Sequence, residues 1–96
     1  MIRHIAMLGW TDDITSQRID AIEEALRKMP TIMPFIRNYE LHRDLGINSS
    51  HDFVVIAEFD SADDYHVYAG NPQHQAVIDE LIKPVMASIA RVQVAI

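Results

Sequence analysis

Tyr68 and His74 flank the breaker run Gly70-Asn71-Pro72, and His4 lies close to the start of the sequence. Imidazole takes and gives protons near neutral pH, and a phenol beside it can polarise a carbonyl. Asn71 suits a helix N-cap and Pro72 the first helical position, and Pro84 marks the other end of this helix. Counting by threes and fours puts His74 on the apolar face with Val77, Ile78, Leu81 and Val85. Gln73, Gln75, Asp79, Glu80 and Lys83 fall mostly on the opposite face. The partial positive charge of a helix N-terminus disfavours imidazolium, so His74 is expected neutral and able to accept a proton. With Tyr68 positioning an oxygen, His74 could act as a general base towards an enolisable ligand. The same residues also suit a structural role. In that reading His74 bonds a carbonyl or hydroxyl and ties helix to sheet, Tyr68 packs with its hydroxyl at the rim, and His4 is a satisfied core side chain.

The elements that must position these groups follow from periodicity. Residues 2–10 alternate as a strand, with His4, Ala6, Leu8 and Trp10 on one face and Arg3, Ile5, Met7 and Gly9 on the other. The run to Pro30 carries helix signals, with Ile19, Ile22, Leu26 and Met29 as its buried stripe and Pro30 as its stop. Residues 31–35 read as an apolar loop held by Pro30 and Pro34, placed to cap a pocket or to pack across a dimer. Strands follow over 36–44 and 52–60, separated by a polar turn region. Ser61 starts a helix that Gly70 closes, the helix of His74 comes next, and 88–96 form a last strand. The order β-α-β-β-α-β predicts a single α+β domain over 1–96, ferredoxin-like, its helices on one face of an antiparallel sheet. A small apolar pocket is expected between the layers, lined by His4, Ala6, Leu8, Tyr39, Val55, Tyr68 and His74.

The first and third strands are apolar on both faces: Val54 and Ile56 on one side, Phe53, Val55, Ala57 and Phe59 on the other. Helices can cover only one face, so a second copy of the chain is the expected cover for the other, giving a homodimer.

Composition narrows the functional classes. Fourteen acids against eight Lys and Arg give a net charge of −6, with no basic run, so neither nucleic acid nor an anionic membrane is an expected partner. There is no cysteine, which removes disulfides, thiolate nucleophiles and Cys-based zinc sites. Glu40 and His42 share a strand face, but without HxH, HxxxH or HExxH spacing no dedicated metal site is expected. No phosphate-cradling loop or GxSxG elbow occurs, so the expected chemistry needs no cofactor. Asp12, Asp13, Glu23, Glu24, Asp63 and Asp64 read as helix starts and solvated faces. Nothing approaches the roughly 18 apolar residues of a membrane span, and no secretory leader pattern is present, so a cytoplasmic setting is expected.

The early RHIAML, the strand FVVIAEFDS, the aromatic YHVY and above all NPQHQAVIDELIKP resemble the stress-responsive dimeric α/β-barrel (Dabb) family. The family's usual form has His before that proline, where this sequence has Asn71. The resemblance implies a dimer whose two sheets form a barrel with the helices outside. Members include stress-associated proteins without a defined reaction and the plant polyketide cyclase that makes olivetolic acid. In that cyclase a catalytic histidine and a tyrosine match His74 and Tyr68, and a first-strand histidine matches His4. Its acidic partner in the last strand falls, on ungapped counting, at Val92, and another pocket histidine falls at Phe53. Two functional readings result: a small-molecule-binding, stress-associated protein that takes an apolar or enolic ligand, and a cofactor-independent cyclase or isomerase with His74 as base. The related barrel monooxygenases share the topology alone.

Overall fold

A computed structural model describes all residues from Met1 to Ile96. Strand β1 (Ile2–Trp10) leads into helix α1 (Ser16–Arg27) and a short helix α2 (Met29–Ile32). The hairpin of β2 (Asn38–Arg43) and β3 (Phe53–Phe59) follows, then α3 (Ala62–Gly70) and α4 (Pro72–Val77). From α4 the chain continues without a break through a π-helical segment (Ile78–Ile82) and a 3₁₀ turn (Lys83–Val85) into β4 (Met86–Ala95). The strands form one antiparallel sheet in the order β2-β3-β1-β4, the expected ferredoxin-like α+β arrangement.

Side-chain caps set the helix starts. The Thr15 hydroxyl accepts from the Arg18 N–H, and the Ser61 hydroxyl accepts from the Asp64 N–H. Asn71 Oδ1 accepts from the N–H groups of both Gln73 and His74, at 2.9 and 3.1 Å. That cap fixes the turn from which the His74 ring departs.

Alternation in β3 sends Phe53, Val55, Ala57 and Phe59 under the helices, where all are buried. Ala6 and Leu8 of β1, with Ile22 and Leu26 of α1, Ile82 and Val85, complete one apolar cluster. Met29, Met33, Ile36, Ala57, Phe59 and Tyr68 form a second at the other end of the sheet. Burying an aliphatic or Phe side chain contributes about 1.5–3 kcal/mol, so these clusters hold the helical layer to the sheet. The opposite sheet face carries Ile5, Met7, Val54, Ile56, Val92 and Val94, paired in register across β3, β1 and β4. Met7, Val92 and Val94 are exposed there. No helix is long and apolar enough to cross a membrane.

Three local expectations are corrected. Pro30 does not stop the first helix: Lys28 caps α1, and Pro30 occupies the first turn of α2, where its missing N–H costs nothing. Part of the expected apolar loop is therefore helical. The His74 helix is α-helical only to Val77, and the wider π turn inserts an extra residue. That insertion turns Ile82, rather than Leu81, into the core. Glu23 is buried rather than solvated, because Arg43 of β2 reaches across to it with bonds of 2.7 and 3.2 Å. The Arg43 guanidinium holds the Glu23 carboxyl below its usual range.

Candidate active-site pocket between sheet and helices

A cavity of about 270 Å³ lies between β1, β3 and β4 on one side and α1, α3 and the α4–π segment on the other. That is near the lower end for small-molecule sites, which run to about 300–1,000 Å³. Six of the expected site residues line it: His4, Ala6, Leu8, Val55, Tyr68 and His74. The small side chain of Ala6, between His4 and Leu8 on the same strand face, leaves room that a larger residue would fill. Tyr39 does not line the cavity. It stands behind Tyr68, and the two hydroxyls lie 2.9 Å apart.

His74 projects from the first turn of α4, is buried, and packs on the Tyr68 ring with centroids 4.1 Å apart. Its Nδ1 is buried and has no hydrogen-bond partner. Burial lowers its pKa, with a smaller lowering from His4, opposed by the carbonyls of Ala69 and Tyr68. Burial is the largest of these effects and favours the neutral ring. Nδ1 is left without a hydrogen bond, although the Ala69 and Tyr68 carbonyls lie near enough to favour the protonated form of the ring.

His4 is tied down instead. Its Nδ1 lies 2.7 Å from Oε1 of Gln93, an amide oxygen that only accepts, so Nδ1 carries the proton and Nε2 keeps its lone pair. Burial lowers the His4 pKa, the bond to Gln93 opposes this, and the nearby Arg91 cation lowers it further. The ring packs beside Tyr65 and Tyr68, with centroids 5.1 and 6.0 Å away. Burial also raises both phenols, Tyr39 to about 12 and Tyr68 further. Neither ionises near neutral pH, so Tyr68 can serve a guest only as a hydroxyl. If Tyr39 donates to Tyr68, the Tyr68 proton is left for an oxygen in the cavity.

Counting without gaps assigns the acidic partner of the last strand to Val92, but Val92 pairs with Ile5 on the opposite sheet face. The β4 side chain that reaches an imidazole is the next one, Gln93, and it bonds His4 rather than His74. Phe53, at the position that matches the cyclase's further pocket histidine, is a buried core residue. Gln75 and Lys83, expected on the face away from His74, also line the cavity, as do Ile89 and Arg91, for which the sequence carries no local signal. Ile89, Arg91 and Gln93 alternate along one face of β4, a signal that becomes readable only once the register with β1 is known. Elsewhere, Glu40 Oε1 lies 3.1 Å from His42 Nε2 on the exposed sheet face, and no cluster of three potential metal ligands occurs in the chain.

The family model described as Stress responsive A/B Barrel Domain matches residues 2–95. A dimeric ferredoxin-like protein of unknown function from Thermobifida fusca is 35% identical, with a TM-score of 0.89 over 99% of this chain and 90% of that one. A Dabb family protein from Mesorhizobium loti superimposes with a TM-score of 0.83 at 17% identity, over 99% of this chain and 95% of that one. The hydroxynitrile lyase of Passiflora edulis does so with a TM-score of 0.85 at 19% identity, over 99% and 92% of the two chains. The last two bear on the fold alone. No curated protein matches the sequence.

Proposed function

From the membership of this chain in the stress-responsive A/B barrel domain family, matched over residues 2–95, we propose that it binds a small apolar or enolic molecule in the cavity between sheet and helices. The observation that carries this reading is His74, which lines that cavity and whose buried Nδ1 has no hydrogen-bond partner. A buried polar atom without a partner costs about 1–3 kcal/mol, which a guest bearing a hydroxyl or carbonyl-derived enol would relieve. The apolar walls, Leu8, Leu26, Val55 and Ile82, would hold the rest of the guest by burial.

A second reading adds a reaction to the binding. Burial favours the neutral form of His74, and Tyr68 lines the same cavity. Together they suit removal of a proton next to a carbonyl, the Tyr68 hydroxyl bonding the enolate oxygen as it forms. This would make the protein a cofactor-independent cyclase or isomerase of polyketide-like substrates. Pairing of two chains through the exposed apolar sheet face is part of the proposal, supported by the dimeric relative from Thermobifida fusca.

Titration with octan-1-ol, followed by amide and methyl NMR shifts, tests the binding reading. Shifts should gather at Leu8, Leu26 and Val55 and vanish in Ala6→Leu, which fills the cavity. Shifts confined to Val54 and Ile56 on the other face, or none at all, would refute the pocket as a binding site.

A further inference from the structure

The charge around the cavity runs against the charge of the chain. The sequence holds fourteen acids against eight Lys and Arg, yet no acidic side chain lines the cavity, while Lys83 and Arg91 both do. Lys83 is paired with Asp79 at 3.1 Å. Arg91 takes part in none of the ion pairs of the protein. It projects from β4 on the face of Gln93, opposite Ala6 of β1, and is exposed. The cavity therefore has an apolar interior formed by Leu8, Leu26, Val55 and Ile82 and an uncommitted guanidinium on its wall.

We propose that the guest is an amphipathic carboxylate, its anionic head paired with Arg91 and its short hydrocarbon body enclosed between β1, β3 and the helices. This rests on the reading of the cavity as a binding site and names the class of ligand it selects. A guanidinium presents a fork of N–H donors that matches the two oxygens of a carboxylate, which suits Arg91 to a planar anion better than to a neutral hydroxyl. The volume limits the body. Taking about 30 Å³ for each water of the liquid, 270 Å³ equals about nine waters, room for a medium-length acid rather than a long-chain lipid. Neutral His4 and His74 add no competing charge inside, so the headgroup is drawn to the Arg91 end.

Calorimetric titration with octanoate and, separately, octan-1-ol tests the proposal. Wild-type protein should bind octanoate about tenfold more tightly than the alcohol. Salt should erode that preference, since an exposed pair is screened. Arg91→Gln should abolish the preference for the acid over the alcohol, and Arg91→Lys should keep part of it. Equal affinity for acid and alcohol, or a preference that survives Arg91→Gln, would overturn the carboxylate proposal and leave the pocket reading standing. Failure of both ligands to bind would remove the pocket reading and the carboxylate proposal together.

Discussion

Nδ1 of His4 and Oε1 of Gln93 lie 2.7 Å apart across the β1–β4 ladder, joining side chains 89 positions apart in sequence. Because the bond steadies the protonated ring, it opposes the lowering that burial imposes on His4. Gln93→Leu should lower the His4 pKa further, and Gln93→Glu should raise it by placing a carboxylate against the ring. NMR titration of the ring protons measures both. A His4 pKa that ignores residue 93 would show that the bond does not form in solution.

His74→Ala separates a structural tie from a binding contact. Truncation removes an unpartnered buried nitrogen, a gain of about 1–3 kcal/mol, and loses the packing on Tyr68, about 0.5–1.5 kcal/mol. The cavity left by the ring offsets part of the gain, so stability by denaturant melting should change little or rise slightly. Affinity for a cavity ligand should fall. A loss of several kcal/mol on truncation would instead identify the ring as part of the fold's framework.

Acid should weaken the fold through the same two histidines. Burial lowers the folded-state pKa of both His4 and His74 from 6.5, so the unfolded chain takes up protons first. The stability their neutral forms provide is present above 6.5, declines below it, and is lost as pH falls through the lowered folded values. Glu23 acts in a lower window, its Arg43-bonded carboxylate supporting the fold above 4.5 and ceasing to do so as pH drops through its depressed value. Melting temperature should lose part of its dependence between pH 7 and 5 (about the span over which histidine titrates) in His4→Gln and in His74→Gln, and more in the double variant. An unchanged slope in both variants would contradict this assignment.

The exposed sheet face should join two chains. Light scattering at micromolar concentration should give twice the 10.9 kDa of one chain. Met7→Asp places a charge on that face among Val54, Ala90 and neighbouring apolar side chains and should shift the mass towards the monomer. Val92→Lys, nearer the sheet edge, provides a second variant should the first fail to fold. A wild-type protein that runs as a monomer at all concentrations would rule out this pairing.

The parts of the fold set by local pattern were readable. Phe53 to Phe59 alternate cleanly because one side of β3 is packed, and Asn71-Pro72 announces a helix start through capping chemistry alone. His4, Ala6, Leu8, Val55, Tyr68 and His74 fell on the pocket side because strand and helix periods fixed their faces. Tyr39 shares their face but is screened from the cavity by Tyr68, a matter of packing depth that periodicity does not encode. The π segment escaped because Leu81 and Ile82 are both apolar, so the sequence fits either face. Glu23, Gln93 and Arg91 depend on partners or neighbours contributed by distant strands. An acid, an amide and a cation on half-exposed surfaces look solvated until those strands are in register.

The ladder between β1 and β4 also bears on how the protein comes to be made. β1 is central in the sheet, yet its neighbours β3 and β4 follow only after long intervening stretches of chain. During synthesis the first strand can pair on one edge once β3 is made, but its other edge stays open until β4 follows. Non-local pairings of this kind close slowly and leave strand edges open meanwhile. The wall that holds His4, Arg91 and Gln93 cannot exist until β4 has been made, so a chain still short of that strand has no such cavity.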